Sequence, residues 1–165
     1  MTSFPTVTAY IGLGSNLANP AVQIKQARLA IATLVSVKEL AFSSLYHSPP
    51  MGSQDQPDYV NAVMAINTDL AALDLLRCLQ KIEQEQGRIR TATRWGARTL
   101  DLDLLLYGDV LMNHPDLIIP HVGISQRAFV LYPLQEIAPT LILPTLGAID
   151  KLIANCSVDS LKKLA

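Results

Sequence analysis

Apolar positions along this chain follow two periods, and each change of period marks an element boundary. Val7 to Leu13 is a short β-rich run ending in Gly12-Leu13-Gly14-Ser15-Asn16, which predicts a strand followed by a turn. From Ala21 to Leu34 apolar residues fall at helical spacing (Val22, Ile24, Ala27, Ala30, Ile31, Leu34), with Asn19 placed to cap and Pro20 at the first position. Val37 to Tyr46 reads as a second strand, and Tyr59 to Asn67, which alternates again, as a third. Between them, Ser48 to Asp58 is a loop rich in Pro, Gly, Ser and Gln. The strongest helical signal is Ala71 to Gln86, where Leu73, Leu75, Leu76, Leu79 and Ile82 share one side and Gly87 ends the pattern. Thr99 to Tyr107 predicts a fourth strand, and Asn113 to Ile124 is irregular, broken by Pro115 and Pro120. Ser125 to Ile137 predicts a third helix, which Pro133 must kink or delay. After Pro139 a short helix is expected near Ala148 to Ala154, and a weak one at the chain end.

The order β-α-β-β-α-β with added C-terminal helices predicts an α+β ferredoxin-like sandwich, its helices on one face of a mainly antiparallel sheet. Residues 1–165 read as a single domain, without repeats, low-complexity segments or a linker. Half the residues are hydrophobic (50%) and few are charged (16%), which argues against disorder. A net charge of −1 excludes a general nucleic-acid or membrane-surface binder, so any anion site must come from local clustering. Cys78 and Cys156 lack metal-ligand spacing and read as reduced, mostly buried thiols. The N-terminus has no signal-peptide pattern, and no apolar run approaches the roughly 18 residues of a membrane span. A soluble, cytoplasmic protein is the expectation.

Four of the seven arginines, Arg88, Arg90, Arg94 and Arg98, cluster around the only tryptophan, Trp95, with no acid among them. Asp101 and Asp103 follow, alternating with Leu100, Leu102 and Leu104. On a strand both carboxylates then point one way, with Cα atoms about 6.6 Å apart. Like charges on one face repel unless a cation sits there, and two Mg²⁺ ions about 3.5–4 Å apart suit the spacing. Arginine forks bind phosphate, and clustering them is costly without an anion. Taken singly, these features read as a wet strand face and a solvated loop. Taken together they fit a polyphosphate, which points to nucleotide chemistry.

Gly12-Leu13-Gly14 lacks the third glycine of a dinucleotide fingerprint, and no Walker-type loop occurs. These glycines read as a turn needing backbone freedom. Tyr59 and Asn61 share a predicted strand face, where an aromatic plane beside a carboxamide suits a flat nitrogen heterocycle. Phe129 is placed to supply a second aromatic wall. His121 and Arg127 would touch phosphate if the chain brings them to an anion site. Gln80 and Glu83 read first as solvent-face residues of the second helix, with lining a nucleotide pocket as the alternative.

The segment RWGARTLDLDLLLYG (Arg94 to Gly108) resembles the signature of the 6-hydroxymethyl-7,8-dihydropterin pyrophosphokinases of folate biosynthesis. Three more segments match at compatible spacing: Tyr10 to Leu17, Ser48 to Val63, and IIPH (Ile118 to His121) with Arg127-Ala128-Phe129. The likeness spans roughly Val7 to Pro139 and thins out in the tail. It implies transfer of pyrophosphate from ATP, the co-substrate, to the pterin, on small-molecule substrates alone and as a monomer. Asp101 and Asp103 would hold two Mg²⁺ ions and, with Arg88 and Arg98, form the catalytic set. Tyr59 and Phe129 would sandwich the pterin, Asn61 would read its edge, and the backbone around Ser48, Pro49 and Met51 would assist. Arg88, Arg90, Arg94, Trp95, Arg98, Leu104, His121 and Arg127 would meet ATP, with Gln80 and Glu83 bordering the nucleotide site. Departures are Ala97 where relatives commonly carry proline, Thr91 where some carry a basic residue, and Ser48 for a common threonine. Two other classes compete: a ferredoxin-like nucleic-acid module, which lacks the needed aromatic pattern and basic face, and a nucleotidyl transferase or phosphatase, which has no use for Tyr59, Asn61 and Phe129.

Overall fold

A computed structural model describes residues 5–17, 19–49, 57–87, 100–157 and 161–164. Four antiparallel strands form its centre: β1 (Val7–Ser15), β2 (Val37–Phe42), β4 (Tyr59–Thr68) and β5 (Asp101–Tyr107). β3 (Tyr46–Ser48) and β10 (Lys162–Lys163) extend them. The strand order is β10-β3-β4-β1-β5, with β2 also paired to β4. The long β4 is therefore flanked by β1 on one side and by β2 followed by β3 on the other. Helices α1 (Pro20–Ala32), α2 (Ala72–Glu85), α3 (Ala128–Ile137) and α4 (Ile149–Ala154) complete the described architecture, a mixed fold with an antiparallel sheet.

Strand alternation sorts side chains onto two faces. Ala9, Ile11 and Leu13 of β1, Val60, Ala62, Met64 and Ile66 of β4, and Leu102 and Leu104 of β5 pack with α1 and α2 in the larger core. Its helical half comes from Ile24, Ala27 and Ile31, and from Leu75, Leu79 and Ile82, as the helical spacing predicts. On the opposite face Val63, Leu105 and Leu106 pack with Val130, Leu131 and Leu134 of α3 and Ile149 of α4. The short C-terminal helices cover only part of that face, so one end of it stays open.

The structure departs from the periodicity at several places. β1 continues to Ser15, so Gly12-Leu13-Gly14-Ser15 is strand rather than turn. The predicted second strand breaks after Phe42 because Ser43 substitutes its side chain for the ladder: Ser43 N–H donates to Val63 O while Val63 N–H donates to Ser43 Oγ, both at 2.9 Å. Asn19 takes the N-cap position in a left-handed conformation (φ 60°) without a side-chain cap bond. Its carbonyl accepts instead, from Val22 N and Gln23 N. The segment expected to be irregular forms a hairpin, β6 (Met112–His114) with β7 (Leu117–Ile119), too short for an apolar period to show. A 3₁₀ turn at Ile124–Gln126 precedes α3, which starts late at Ala128 and carries Pro133 inside it. Two two-residue strands, β8 (Ile142–Leu143) and β9 (Gly147–Ala148), lead into α4. The tail pairs as β10 with β3 rather than forming a helix. Cys78 and Cys156 are free and only half-buried.

Glu136 of α3 gathers the β2–β3 junction and the tail. Its carboxylate accepts from Ser44 N at 2.8 Å and Tyr46 Oη at 2.6 Å, with Lys163 Nζ at 3.8 Å. Burial pushes this carboxyl up, but those hydrogen bonds and Lys163 outweigh it and leave it below the usual carboxylate range.

Candidate active site

The open end of the sheet is floored by β1. Gly14 stands opposite Asn61 of β4 on one side and Asp101 of β5 on the other, and Gly12 stands between Val63 and Asp103. Neither glycine raises a side chain, so a cleft of about 310 Å³ opens above them. Its walls carry Tyr59 and Asn61 on one flank and Asp101 and Asp103 on the other, with Ser48, Pro49, His121, Arg127 and Phe129 around the rim. Across three strands the Asn61 and Asp101 backbones lie roughly 10 Å apart. The Asn61 amide borders the space above Gly14 closely: a Cβ there would meet Asn61 Oδ1 at 3.0 Å.

On the β4 flank, Asn61 and Ser48 are buried, and Asn61 Nδ2 donates to Ser48 Oγ at 2.7 Å. That bond leaves Oδ1 over Gly14, facing the cleft. Tyr59 and Phe129 bring aromatic surface to the same cavity. The Arg127 guanidinium stacks 5.8 Å from the Phe129 ring centroid.

On the β5 flank the carboxylates point as the alternation predicts, half-exposed, while Leu102 and Leu104 are buried beneath them. His121 follows the cis Ile119–Pro120 peptide, and its N–H donates to Leu105 O at 3.0 Å. Its Nε2 sits 3.8 Å from Asp103 Oδ1, beyond direct hydrogen-bond distance. Burial pushes the imidazole pKa down and the charge of Arg127 pushes the same way, with Asp101 opposing in part. Burial and Arg127 thus favour the neutral ring. Since Gly123 N–H donates to Nδ1 at 3.2 Å, the ring proton is on Nε2, toward the carboxylates.

Three residues expected at the site lie outside this cleft. Leu104 is in the core beneath the sheet, 2% exposed, because its position on the alternation faces α1 and α2. Gln80 stays on the outside of α2, accepting from Arg77 Nη1 at 3.1 Å. Glu83 is not a solvent-face residue: it is 4% exposed, and its Oε2 accepts from Leu102 N at 2.8 Å. Met51, Arg88, Arg90, Arg94, Trp95 and Arg98, with Thr91 and Ala97, lie outside the described residues. Gly12 and Gly14 are the cleft-lining positions that reading them as a turn missed. Their i, i+2 spacing on a strand was the available signal.

No group of three or more His, Cys, Asp or Glu residues that could hold a metal occurs among the described residues. Mg²⁺ is commonly held by one or two carboxylates and completed by phosphate oxygens and water. Asp101 and Asp103 supply that kind of oxygen donor, side by side and facing the cleft.

An antiparallel sheet covered by α1 and α2 on one face, and by α3 and α4 over part of the other, leaves paired carboxylates on an open cleft in a small α+β protein. A sequence model of the family described as 7,8-dihydro-6-hydroxymethylpterin-pyrophosphokinase (HPPK) matches residues 10–139, and the chain belongs to that family. Among curated relatives, a 2-amino-4-hydroxy-6-hydroxymethyldihydropteridine pyrophosphokinase of Pseudomonas aeruginosa is 50% identical over 94% of this chain and 95% of its own length. One of the same description from Haemophilus influenzae is 49% identical over 96% and 98%. The fold is similar to that of wild-type Plasmodium falciparum HPPK-DHPS, with a TM-score of 0.72 at 15% identity. That likeness covers 94% of this chain and 45% of the Plasmodium chain, so this chain spans less than half of that protein.

Proposed function

We propose that this protein transfers the pyrophosphoryl group of ATP to 6-hydroxymethyl-7,8-dihydropterin, giving AMP and the dihydropterin diphosphate, in folate biosynthesis. The observation that carries the reading is the row Asn61–Gly14–Asp101 across three adjacent strands. It sets a heterocycle slot and a carboxylate pair on the two flanks of one glycine-floored cleft. Tyr59 and Phe129 flank the pterin ring, and Asn61 Oδ1, aimed by Ser48, accepts from the ring edge. With the ring held there, its hydroxymethyl group projects over Gly14 toward β5.

Asp101 and Asp103 would hold two Mg²⁺ ions, which when bound neutralise the phosphates and favour loss of the hydroxyl proton. The hydroxymethyl oxygen attacks the β-phosphorus, the bond from that phosphorus to the α-phosphate bridging oxygen breaks, and AMP leaves with that oxygen. The hydroxyl proton passes to solvent, and no side chain is required as general base. His121 donates from Nε2 and Arg127 forks onto phosphate oxygens, stabilising charge as it spreads in the transition state. The cluster Arg88, Arg90, Arg94 and Arg98, with Trp95, is assigned to the triphosphate on its motif, with Arg88 and Arg98 in the catalytic set. Gln80 borders that site from α2, while Glu83 meets β5 through the Leu102 amide. The strand order β5-β1-β4-β2 supports the ferredoxin-like description of the sheet and its two crossover helices. We place the enzyme in the cytoplasm as a monomer; no described helix is long and apolar enough to cross a membrane.

The test is a ³¹P NMR time course with ATP, Mg²⁺ and the hydroxymethyl-dihydropterin. AMP and a pterin diphosphate appearing together, both dependent on the pterin, are the expected result. ADP, inorganic pyrophosphate or unchanged ATP would overturn the assignment.

A further inference from the structure

We propose that Glu83 is a positioning residue for the cation-holding carboxylates, acting through the backbone between them; the inference rests on the metal reading above. Its carboxylate is 4% exposed, and Oε2 accepts from the N–H of Leu102 at 2.8 Å. Leu102 is the residue between Asp101 and Asp103. Among the described residues β5 closes one end of the strand order, so an amide on its outer side meets no neighbouring described strand. Glu83 supplies that partner from α2.

Burying a carboxylate is costly unless it is well bonded. α2 is already anchored by Leu75, Leu79 and Ile82 and tied to α1 through Gln86, whose Nε2 donates to Gln23 O at 3.1 Å. Holding the helix to the sheet therefore does not call for a buried acid. A buried acceptor oxygen holds the amide that donates to it in one orientation. Placed on the middle peptide of Asp101-Leu102-Asp103, it fixes the local strand twist, and with it the separation and aim of the flanking carboxylates. Leu102 also packs into the core on the face opposite them, so the peptide is held from below and from the edge.

Glu83→Ala and Glu83→Gln are compared with the wild type using Mn²⁺ and α,β-methylene ATP as probes. Bound Mn²⁺ is read by EPR, analogue affinity without divalent metal by calorimetry, and Leu102 amide exchange by NMR. Glu83→Ala should weaken Mn²⁺ binding about tenfold, the low end of what outer-shell partners of metal ligands typically contribute. It should also speed Leu102 exchange and leave metal-free analogue affinity unchanged. Glu83→Gln, whose amide oxygen still accepts from Leu102, should keep both Mn²⁺ affinity and slow exchange. A fall in metal-free affinity equal to the fall with metal would make Glu83 a nucleotide contact and overturn the proposal. So would a Glu83→Gln as weak as Glu83→Ala, which would mark a through-space charge effect, or unchanged Leu102 exchange in Glu83→Ala. If Glu83→Ala does not fold, Glu83→Gln decides: retained Mn²⁺ affinity with slow Leu102 exchange supports the proposal, and loss of either overturns it. A wild type without metal-dependent binding would remove the metal reading, and this inference with it, while Leu102 exchange would still report the hydrogen bond itself.

Discussion

Replacing Ser48 with alanine tests the β4 flank of the cleft with little change of volume. Ser48 and Asn61 are 5% and 6% exposed, and the bond between them is 2.7 Å long. Ser48→Ala leaves a buried amide donor without that partner, which costs about 1–3 kcal/mol of stability. The bond also fixes which end of the amide faces the cleft. Without it, a ligand must re-order the Asn61 side chain on binding, at about 0.5–1.5 kcal/mol. At 1.4 kcal/mol per tenfold, the pterin KM should rise roughly two- to twelvefold. Turnover should hold within about threefold, because Asp101 and Asp103 lie across the Gly14 row, roughly 10 Å of sheet away. Ser48→Thr keeps the hydroxyl and should restore KM. Urea unfolding gives the stability change, and steady-state kinetics at saturating MgATP separate KM from kcat. A Ser48→Ala protein that loses stability but keeps its pterin KM would show that Asn61 does not read the ring. One that loses neither would show that the hydrogen bond does not form in solution.

Other expectations follow from the same geometry. Gly14→Ala places a Cβ 3.0 Å from Asn61 Oδ1 and 3.8 Å from Tyr59 Cδ1, so pterin affinity should fall at least about tenfold, or 1.4 kcal/mol; isothermal titration showing wild-type affinity would refute the glycine floor. Asp103→Ala should abolish Mg²⁺-dependent turnover in a normally folded protein, and near-normal rates at saturating metal would sink the two-metal assignment. Glu136 has its folded pKa lowered below 4.5, so its contribution to stability is present above that pH and is lost as pH falls through the lowered value. The stability gap between wild type and Glu136→Gln should therefore shrink as the pH falls below about 4.5 in urea melts, and a gap independent of pH would refute the carboxylate network.

Much of the site was legible because its main signal is local. Asp101 and Asp103 share a strand face with Leu102 and Leu104 on the other, and pleating alone dictates that division. The pairing of Tyr59 with Asn61, and the apolar stripe of α2, rest on the same short-range periodicity. Order and burial are different in kind. That β1 runs between β4 and β5, turning Gly12 and Gly14 from a supposed turn into the floor of a cleft, depends on strand partners about 47 and 87 residues away in the pairing Asn61–Gly14–Asp101. Glu83 looks like any polar helix residue until the edge of β5 brings it an amide from Leu102. The hairpin at Met112–Ile119 and the pairing of Lys162–Lys163 with Tyr46–His47 are too short for any period to register. Sequence determined which side chains share a face, because that is a property of one strand or helix. Tertiary structure alone decided which faces meet, because a hydrogen-bond partner or a burying neighbour is supplied by chain far away.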